Sequence, residues 1–344
     1  MNKWCKDTVT DDKIKSLDNL LGSSDRIAIV THINPDGDAI GSSCALLHFL
    51  REIRHKDAFV ALPNSIPDSL AFISDDKNIL ISGRDDTDSL ISGCDLIVCL
   101  DVNGFDRTGA LSDSVRRSSA AKILIDHHLN PSEGDFNLCF SKTDISSASE
   151  LLYYILLALP EIGGDAAKLP MTSAGALMTG MTTDTNNFAN SVWPSTLAMA
   201  GDLLSAGVDR DEIIARLYNE YRENRVLAMS ELLKDHMKIQ ENGTAYVIAY
   251  RDLLDRYDIR EGELEGLVNV PLTIGRVRMS ILLKEDEGFF RVSIRSKKGV
   301  SANRMAREHF NGGGHEQAAG GRLYFPQDIA KPGDAEEYIK KVTE

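Results

Sequence analysis

Apolar residues gather in short unbroken runs that end in ionisable ones. Residues 27–30 (Ile-Ala-Ile-Val) lead to His32, residues 96–100 lead to Asp101, and residues 123–125 lead to Asp126, His127 and His128. Runs of this kind, too short for a helix and lacking period-2 alternation, predict strands buried on both faces of a parallel sheet. After the first run, His32, Asn34, Asp36 and Asp38 fall in a loop. The chain from Gly37 through Leu50 then shows helical spacing, so strand, loop and helix form half of a parallel unit. Residues 12–21 predict a leading helix, 58–62 a second strand and 63–72 a turn with a helical piece, while 79–90 shows no clear period and is unassigned. Helices are expected over 147–159 and 171–182, the latter rich in small residues and suited to packing closely on the sheet. Successive helices are expected over 195–240. Beyond Asn242-Gly243 the pattern becomes strand (245–250), helix (264–274), paired strands (277–283 and 289–294), helix (301–310) and a last strand (322–325).

This order predicts an α/β protein in three parts. A mainly parallel-sheet catalytic domain spans residues 1–190, a helical connector 191–240, and a smaller α+β substrate-binding domain 241–344. A net charge of −14 argues against wrapping long duplex nucleic acid, which requires many phosphate-neutralising cations. Residues 275–325 depart from that balance, with ten Lys or Arg against five Asp or Glu; either this region receives an anion or it is a solvated basic face. The five cysteines are odd in number and form no CxxC pair, so no disulfide framework or zinc site is expected and a reducing cytoplasm fits. No N-terminal apolar core precedes a small-residue cleavage site, and no run of 18 apolar residues occurs, so neither secretion nor a membrane span is expected.

The chemistry lies where the strands end. Asp36 and Asp38 repel each other, with His32 four residues before the first, and a divalent cation would remove that cost; Asn34-Pro35-Asp36-Gly37 is also good turn chemistry by itself. Asp184, just past the 171–182 helix, reads either as a turn aspartate or as a further acidic ligand. Three strands delivering polar residues to the same edge of one sheet point to a site more strongly than any single motif does.

Taken together, His32-x-x-x-Asp36-x-Asp38, Asp101, Asp126-His127-His128, Asp184 and Gly312-Gly313-Gly314-His315 resemble the DHH phosphoesterase family in its two-domain form with a DHH-associated C-terminal domain. The closest branch is that of the stand-alone nanoRNases that are also pAp phosphatases. The resemblance implies two divalent cations, usually Mn²⁺, one held by His32, Asp36 and Asp101 and the other by Asp38, Asp101, His127 and Asp184. Four carboxylates balance two divalent ions in formal charge, and imidazole with oxygen ligands suits manganese. It further implies that His128 faces the phosphoryl group, that Asp126 orients an imidazole, and that Arg295, His315, the glycines 312–314 and Arg278 hold the substrate's nucleotide and terminal phosphate. The implied substrates are very short RNA oligonucleotides and 3′-phosphoadenosine 5′-phosphate, cut in the cleft between the domains. The competing readings are an inorganic pyrophosphatase or exopolyphosphatase, a linear or cyclic dinucleotide phosphodiesterase, and a non-catalytic nucleotide sensor.

Overall fold

The computed structural model describes residues 4–74 and 76–343, and the chain divides into two compact units, the first ending at Asn219 and the second beginning at Glu220. The first unit is built on six parallel strands: β1 Arg26–Val30, β2 Asp57–Leu62, β3 Ile79–Ile81, β4 Leu96–Leu100, β5 Ala121–Asp126 and β6 Leu138–Ser141. Their order is β3-β2-β1-β4-β5-β6, the doubly wound arrangement in which the chain reverses direction across the sheet between β1 and β4. Alternation along each strand sends Ile27, Ile29, Val98, Ile123 and Ile125 to one face and Ala28, Val30, Ile97, Cys99 and Leu124 to the other. The first face is covered by helices α1 Asp11–Ser23 and α2 Gly37–Glu52, the second by α3 Thr87–Ser92 and α4 Ser112–Arg117. Helices α5 Ala148–Ala158 and α6 Met171–Asp184 join the first layer, followed by α7 Pro194–Ser205 and α8 Arg210–Ile214.

Small residues let α2 and α6 approach closely. A Cβ on Gly41 would lie 2.7 Å from the Ala176 carbonyl oxygen and 2.8 Å from Gly180 Cα, and one on Gly180 would lie 3.0 Å from Asp38 Oδ1. The small-residue stripe expected over 171–182 therefore does pack closely, but against α2.

The second unit is a mixed six-stranded sheet of order β11-β12-β10-β9-β8-β7: β7 Met237–Ile239, β8 Thr244–Ala249, β9 Met279–Asp286, β10 Phe289–Ser296, β11 Gly313–Gly314 and β12 Ala318–Tyr324. Only β8 and β9 run parallel; the other neighbours are antiparallel. Helices α9 Glu223–Glu231 and α10 Arg251–Arg256 pack on one face, and α11 Ala302–His309 with α12 Ala335–Thr343 on the other. Along β10, Phe290, Val292 and Ile294 are buried against α11 and α12, which leaves Arg291, Ser293 and Arg295 half-buried on the opposite face. No helix among the described residues is long and apolar enough to cross a membrane.

Several elements differ from the sequence expectation. Residues 79–90 hold β3 and the start of α3, and β6, α10 and α12 were not anticipated. The three- to six-residue pieces among these carry too little periodic signal, and it is pairing or packing with distant residues that fixes them, whereas the nine-residue α12 buries Ala335, Ile339 and Thr343 at four-residue spacing, a pattern legible in the sequence. The expected helix over 264–274 is a 3₁₀ turn, Leu267–Thr273, with Pro271 inside it, where proline removes a donor a longer helix would need. Met237–Ile239, within the stretch expected to be helical, pairs with β8, and the last strand extends back to Ala318 through Gly320 and Gly321, whose missing side chains hid it. Within the 191–240 stretch, α7 and α8 pack into the first unit and α9 into the second.

The α2–α6 contact yields a paired prediction. Gly41→Ala should lower Tm by several degrees, because overpacking against backbone costs about 1–3 kcal/mol and outweighs the roughly 1 kcal/mol that alanine contributes to a helix. Gly175→Ala in α6, with nothing within 4 Å of its Cβ, should raise Tm by about 2–4 °C. Thermal unfolding by calorimetry compares the two; a stabilised Gly41→Ala protein would contradict the close packing.

Candidate metal centre

The rows pairing β1 with β4 and β4 with β5 end at Val30–Cys99 and Leu100–Ile125, so the residues that follow emerge level with one another at the switch point of the sheet. His32 follows β1, Asp101 follows β4, and His127 follows β5. Asp36 is the N-cap of α2: its Oδ1 accepts from the backbone N–H groups of Asp38 and Ala39, each at 3.1 Å. Asp38 belongs to the first turn of α2 rather than to the loop, so that one helix start presents both carboxylates. Asp184 is the last residue of α6.

These side chains form two groups around Asp101. On one side, His32 Nε2 lies 3.3 Å from Asp101 Oδ2 and 3.8 Å from Asp36 Oδ1. On the other, His127 Nε2 lies 3.4 Å from Asp101 Oδ1, 3.7 Å from Asp184 Oδ2 and 3.9 Å from Asp38 Oδ2. The sets His32–Asp36–Asp101 and Asp38–His127–Asp184 each bring their ligand atoms within 4.8 Å of one another. Asp101 is buried, adopts φ 56°, a left-handed conformation costly for a residue with a Cβ, and places one oxygen toward each group. Its Oδ1 has no hydrogen-bond partner. A buried, unpartnered carboxylate oxygen among imidazoles and other carboxylates is the donor chemistry a hard divalent cation takes, so the residues present fit a metal.

The electrostatics agree. Burial, then the neighbouring charges of Asp101 and Asp184, push the Asp38 carboxyl well above the usual range. Burial also opposes ionisation of Asp101, yet the His127 and His32 imidazoles beside it hold it well below that range. Burial disfavours charge on the two histidines as well, but Asp101 and its neighbours outweigh it and push both His32 and His127 up to about 10. Without a cation, the protons on these imidazoles are what neutralises the cluster. His32 Nδ1 sits 2.9 Å from the Ile33 carbonyl oxygen, which fixes the ring so that Nε2 faces the carboxylates.

His128 is placed differently from His127. Its Nδ1 lies 2.7 Å from Asp126 Oδ1, a completely buried carboxylate, and 3.5 Å from Asp101 Oδ1. Asp126 is thus the partner that orients the His128 ring.

In the second unit, Arg295 on β10 lies across from Ala318, whose carbonyl oxygen accepts from the His315 backbone N–H at 2.7 Å, so Arg295 and His315 flank one strand. The three glycines serve the hairpin first. A Cβ on Gly312 would lie 2.0 Å from the Gly320 carbonyl oxygen, and one on Gly314 (φ 143°) would lie 2.7 Å from that of Ala318; at Gly313 a Cβ would make only an ordinary contact, 3.9 Å from Arg307 Cγ. Arg278 lines a separate cavity of about 320 Å³ with Asn242, Arg304 and His309, which neither Arg295 nor His315 lines.

The helix over 147–159 is expected from the sequence, but the role of its first turn is not. Ala148 and Ser149 donate their backbone N–H groups to Asp38, at 2.6 Å to Oδ2 and 2.9 Å to Oδ1. The signal was present, because Ser147-Ala-Ser-Glu150 has the spacing of a capping box.

Residues 26–181 match the family model of the DHH family, N-terminal domain, and residues 243–343 match that of the DHHA1 domain. The chain is 31% identical over 303 residues to the bifunctional oligoribonuclease and PAP phosphatase NrnA of Bacillus subtilis (strain 168), covering 87% of this chain and 90% of that protein. It superposes with a TM-score of 0.86 and 35% identity on the crystal structure of an exopolyphosphatase-related protein from Bacteroides fragilis, covering 100% of both chains. The crystal structure of RecJ from Thermus thermophilus in complex with Mn²⁺ shares the fold, with a TM-score of 0.55 and 15% identity over 96% of this chain and 53% of that one. With its cluster of histidines and carboxylates at one edge of the sheet, the chain belongs to the DHH family, in the two-domain form with a C-terminal DHHA1 domain, and is a hydrolase of phosphoester bonds.

Proposed function

We propose that the protein hydrolyses very short RNA oligonucleotides and 3′-phosphoadenosine 5′-phosphate to mononucleotides, in the cytoplasm and with two divalent cations, Mn²⁺ by preference. The observation that carries the reading is the division of six ligands into two groups about Asp101, in a chain related over nearly its whole length to an oligoribonuclease and PAP phosphatase. The ligands would be His32, Asp36 and Asp101 for one ion and Asp38, Asp101, His127 and Asp184 for the other. Bound there, two such ions supply Lewis-acid polarisation of a phosphoryl oxygen and acidify water at neutral pH.

The chain's own residues do the rest. Asp101 contributes one oxygen to each group. Asp126 accepts from His128 Nδ1 and holds the ring, so that the imidazolium form donates from Nε2 to charge developing on the phosphoryl oxygens. Arg295 and His315 supply donors for the phosphate and nucleotide away from the cut. An odd number of scattered cysteines without a CxxC pair supports a reducing compartment. A polyphosphate or pyrophosphate substrate is the second reading, favoured by the exopolyphosphatase-related relative. Such a substrate needs no base contacts, and competition by nucleotides separates the two.

Three outcomes are expected. Asp101→Asn should abolish turnover and bound metal together, whereas His128→Ala should keep its metal and lose about 10²–10³ in kcat; metal analysis beside steady-state kinetics reads both. If His128→Ala lost metal as Asp101→Asn does, the roles assigned to the two residues would be wrong.

The second outcome concerns pH. His32 and His127 move from 6.5 up to about 10 on folding without metal. A raised value means that the stability they contribute is fully present below 6.5 and is lost as pH rises through 10. The Tm of metal-free protein should therefore fall between pH 7 and 10, and His32→Asn should flatten that fall. A pH-independent Tm over this range would refute the coupling.

The third is substrate length. A long strand needs a continuous positive track, whereas this chain carries a net charge of −14 with ten Lys or Arg against five Asp or Glu in residues 275–325. The value of kcat/KM should fall sharply from RNA dimers to 24-mers, and Arg295→Ala should raise KM for nucleotide substrates. Equal values across lengths would point to a processive nuclease.

A further inference from the structure

Outside the ligand cluster, the first unit contains one acidic side chain whose burial the proposed chemistry leaves unexplained. Glu150, in the first turn of α5, is completely buried and has no ion-pair partner among the described residues. Burying a carboxylate without a counter-ion is costly unless donors converge on it. Here they do: Glu150 Oε2 accepts from the Ser146 backbone N–H at 3.1 Å, from the Ser146 hydroxyl, and from Thr196 Oγ1 at 2.7 Å. Thr196 lies in the first turn of α7, where its Oγ1 also accepts from the Trp193 N–H at 3.0 Å. The Ser147 hydroxyl accepts from the Glu150 N–H at 3.0 Å. The turn over 146–149 is therefore clamped from inside and tied to a second helix.

That turn has one output. Ala148 and Ser149 point their N–H groups at the two oxygens of Asp38, 110 and 111 residues away in sequence. Both oxygens are thus held by backbone donors, with Oδ2 3.9 Å from His127 Nε2. Gly180 completes the arrangement, since a Cβ there would lie 2.1 Å from Ser149 Oγ. We propose that Glu150 is a positioning residue for metal binding, which fixes the carboxylate of Asp38 through the N–H groups of the α5 first turn. The proposal rests on the reading of Asp38 as a metal ligand. A carboxylate suits the task because it only accepts, whereas a glutamine would bring an N–H₂ group to the position of Oε1, which has no partner.

The test is calorimetric titration of the metal-free full chain with MnCl₂, for wild type, Glu150→Gln, Asp38→Asn and the double variant, with the Tm of each metal-free protein. Glu150→Gln should weaken Mn²⁺ binding about 10–100-fold, as losing a group behind a ligand typically does. Asp38→Asn should weaken it at least as much, and the double variant should match Asp38→Asn alone, because both changes act through one carboxylate. Unchanged affinity in Glu150→Gln overturns the proposal. So does an equal loss on adding Glu150→Gln to Asp38→Asn, which would make Glu150 a general prop of the fold. Full affinity in Asp38→Asn instead removes the ligand assignment beneath the proposal, a failure separate from the first two. Should Glu150→Gln not fold, Thr196→Val takes its place in the same cycle, with a smaller loss expected and no loss overturning the idea.

Discussion

The first unit is organised around the mutual repulsion of carboxylates gathered at one sheet edge. Asp38 and Asp101 are buried, and Asp36 and Asp184 stand beside them. Isolated, such a group could not ionise in a low-dielectric setting. Two kinds of partner in the protein make it tolerable, the imidazoles of His32 and His127 and the backbone N–H groups at the starts of α2 and α5, and a bound divalent cation would be a third. The opposite shifts of Asp38 and Asp101 follow directly, because Asp101 has the histidines and Asp38 lies among like charges.

Helix beginnings are used twice in this scheme. Asp36 caps α2 through Oδ1, which leaves Oδ2 free of that duty, and α5 aims its first N–H groups at Asp38. Orphan N–H groups at a helix start, which would otherwise need water, become the rigid support of the clustered carboxylates. The close approach of α2 and α6, permitted by Gly41 and Gly180, brings Asp38 and Asp184 to the same side of the cluster.

The second unit follows different rules. Its exposed chemistry sits on the half-buried face of β10 and on the β11–β12 hairpin, whose glycines are demanded by backbone contact within the hairpin itself. Gly313 is the exception, since a Cβ there would meet only Arg307 Cγ at 3.9 Å.

The sequence by itself determined the strands that end in His32, Asp101 and Asp126-His127-His128, because an apolar run followed by ionisable residues can be read locally, with no knowledge of neighbours. It also determined that these ends converge, since parallel strands share one carboxyl edge. Tertiary structure alone decided that Asp126 serves His128, that Arg278 lines a cavity with Arg304 and His309, and that α5 reaches back 110 residues to hold Asp38. The short elements β3, β6 and α10 belong with these. Each depends on which distant backbone or side chain comes alongside, and pairing energy between residues far apart in the chain leaves no periodic trace in either partner's sequence.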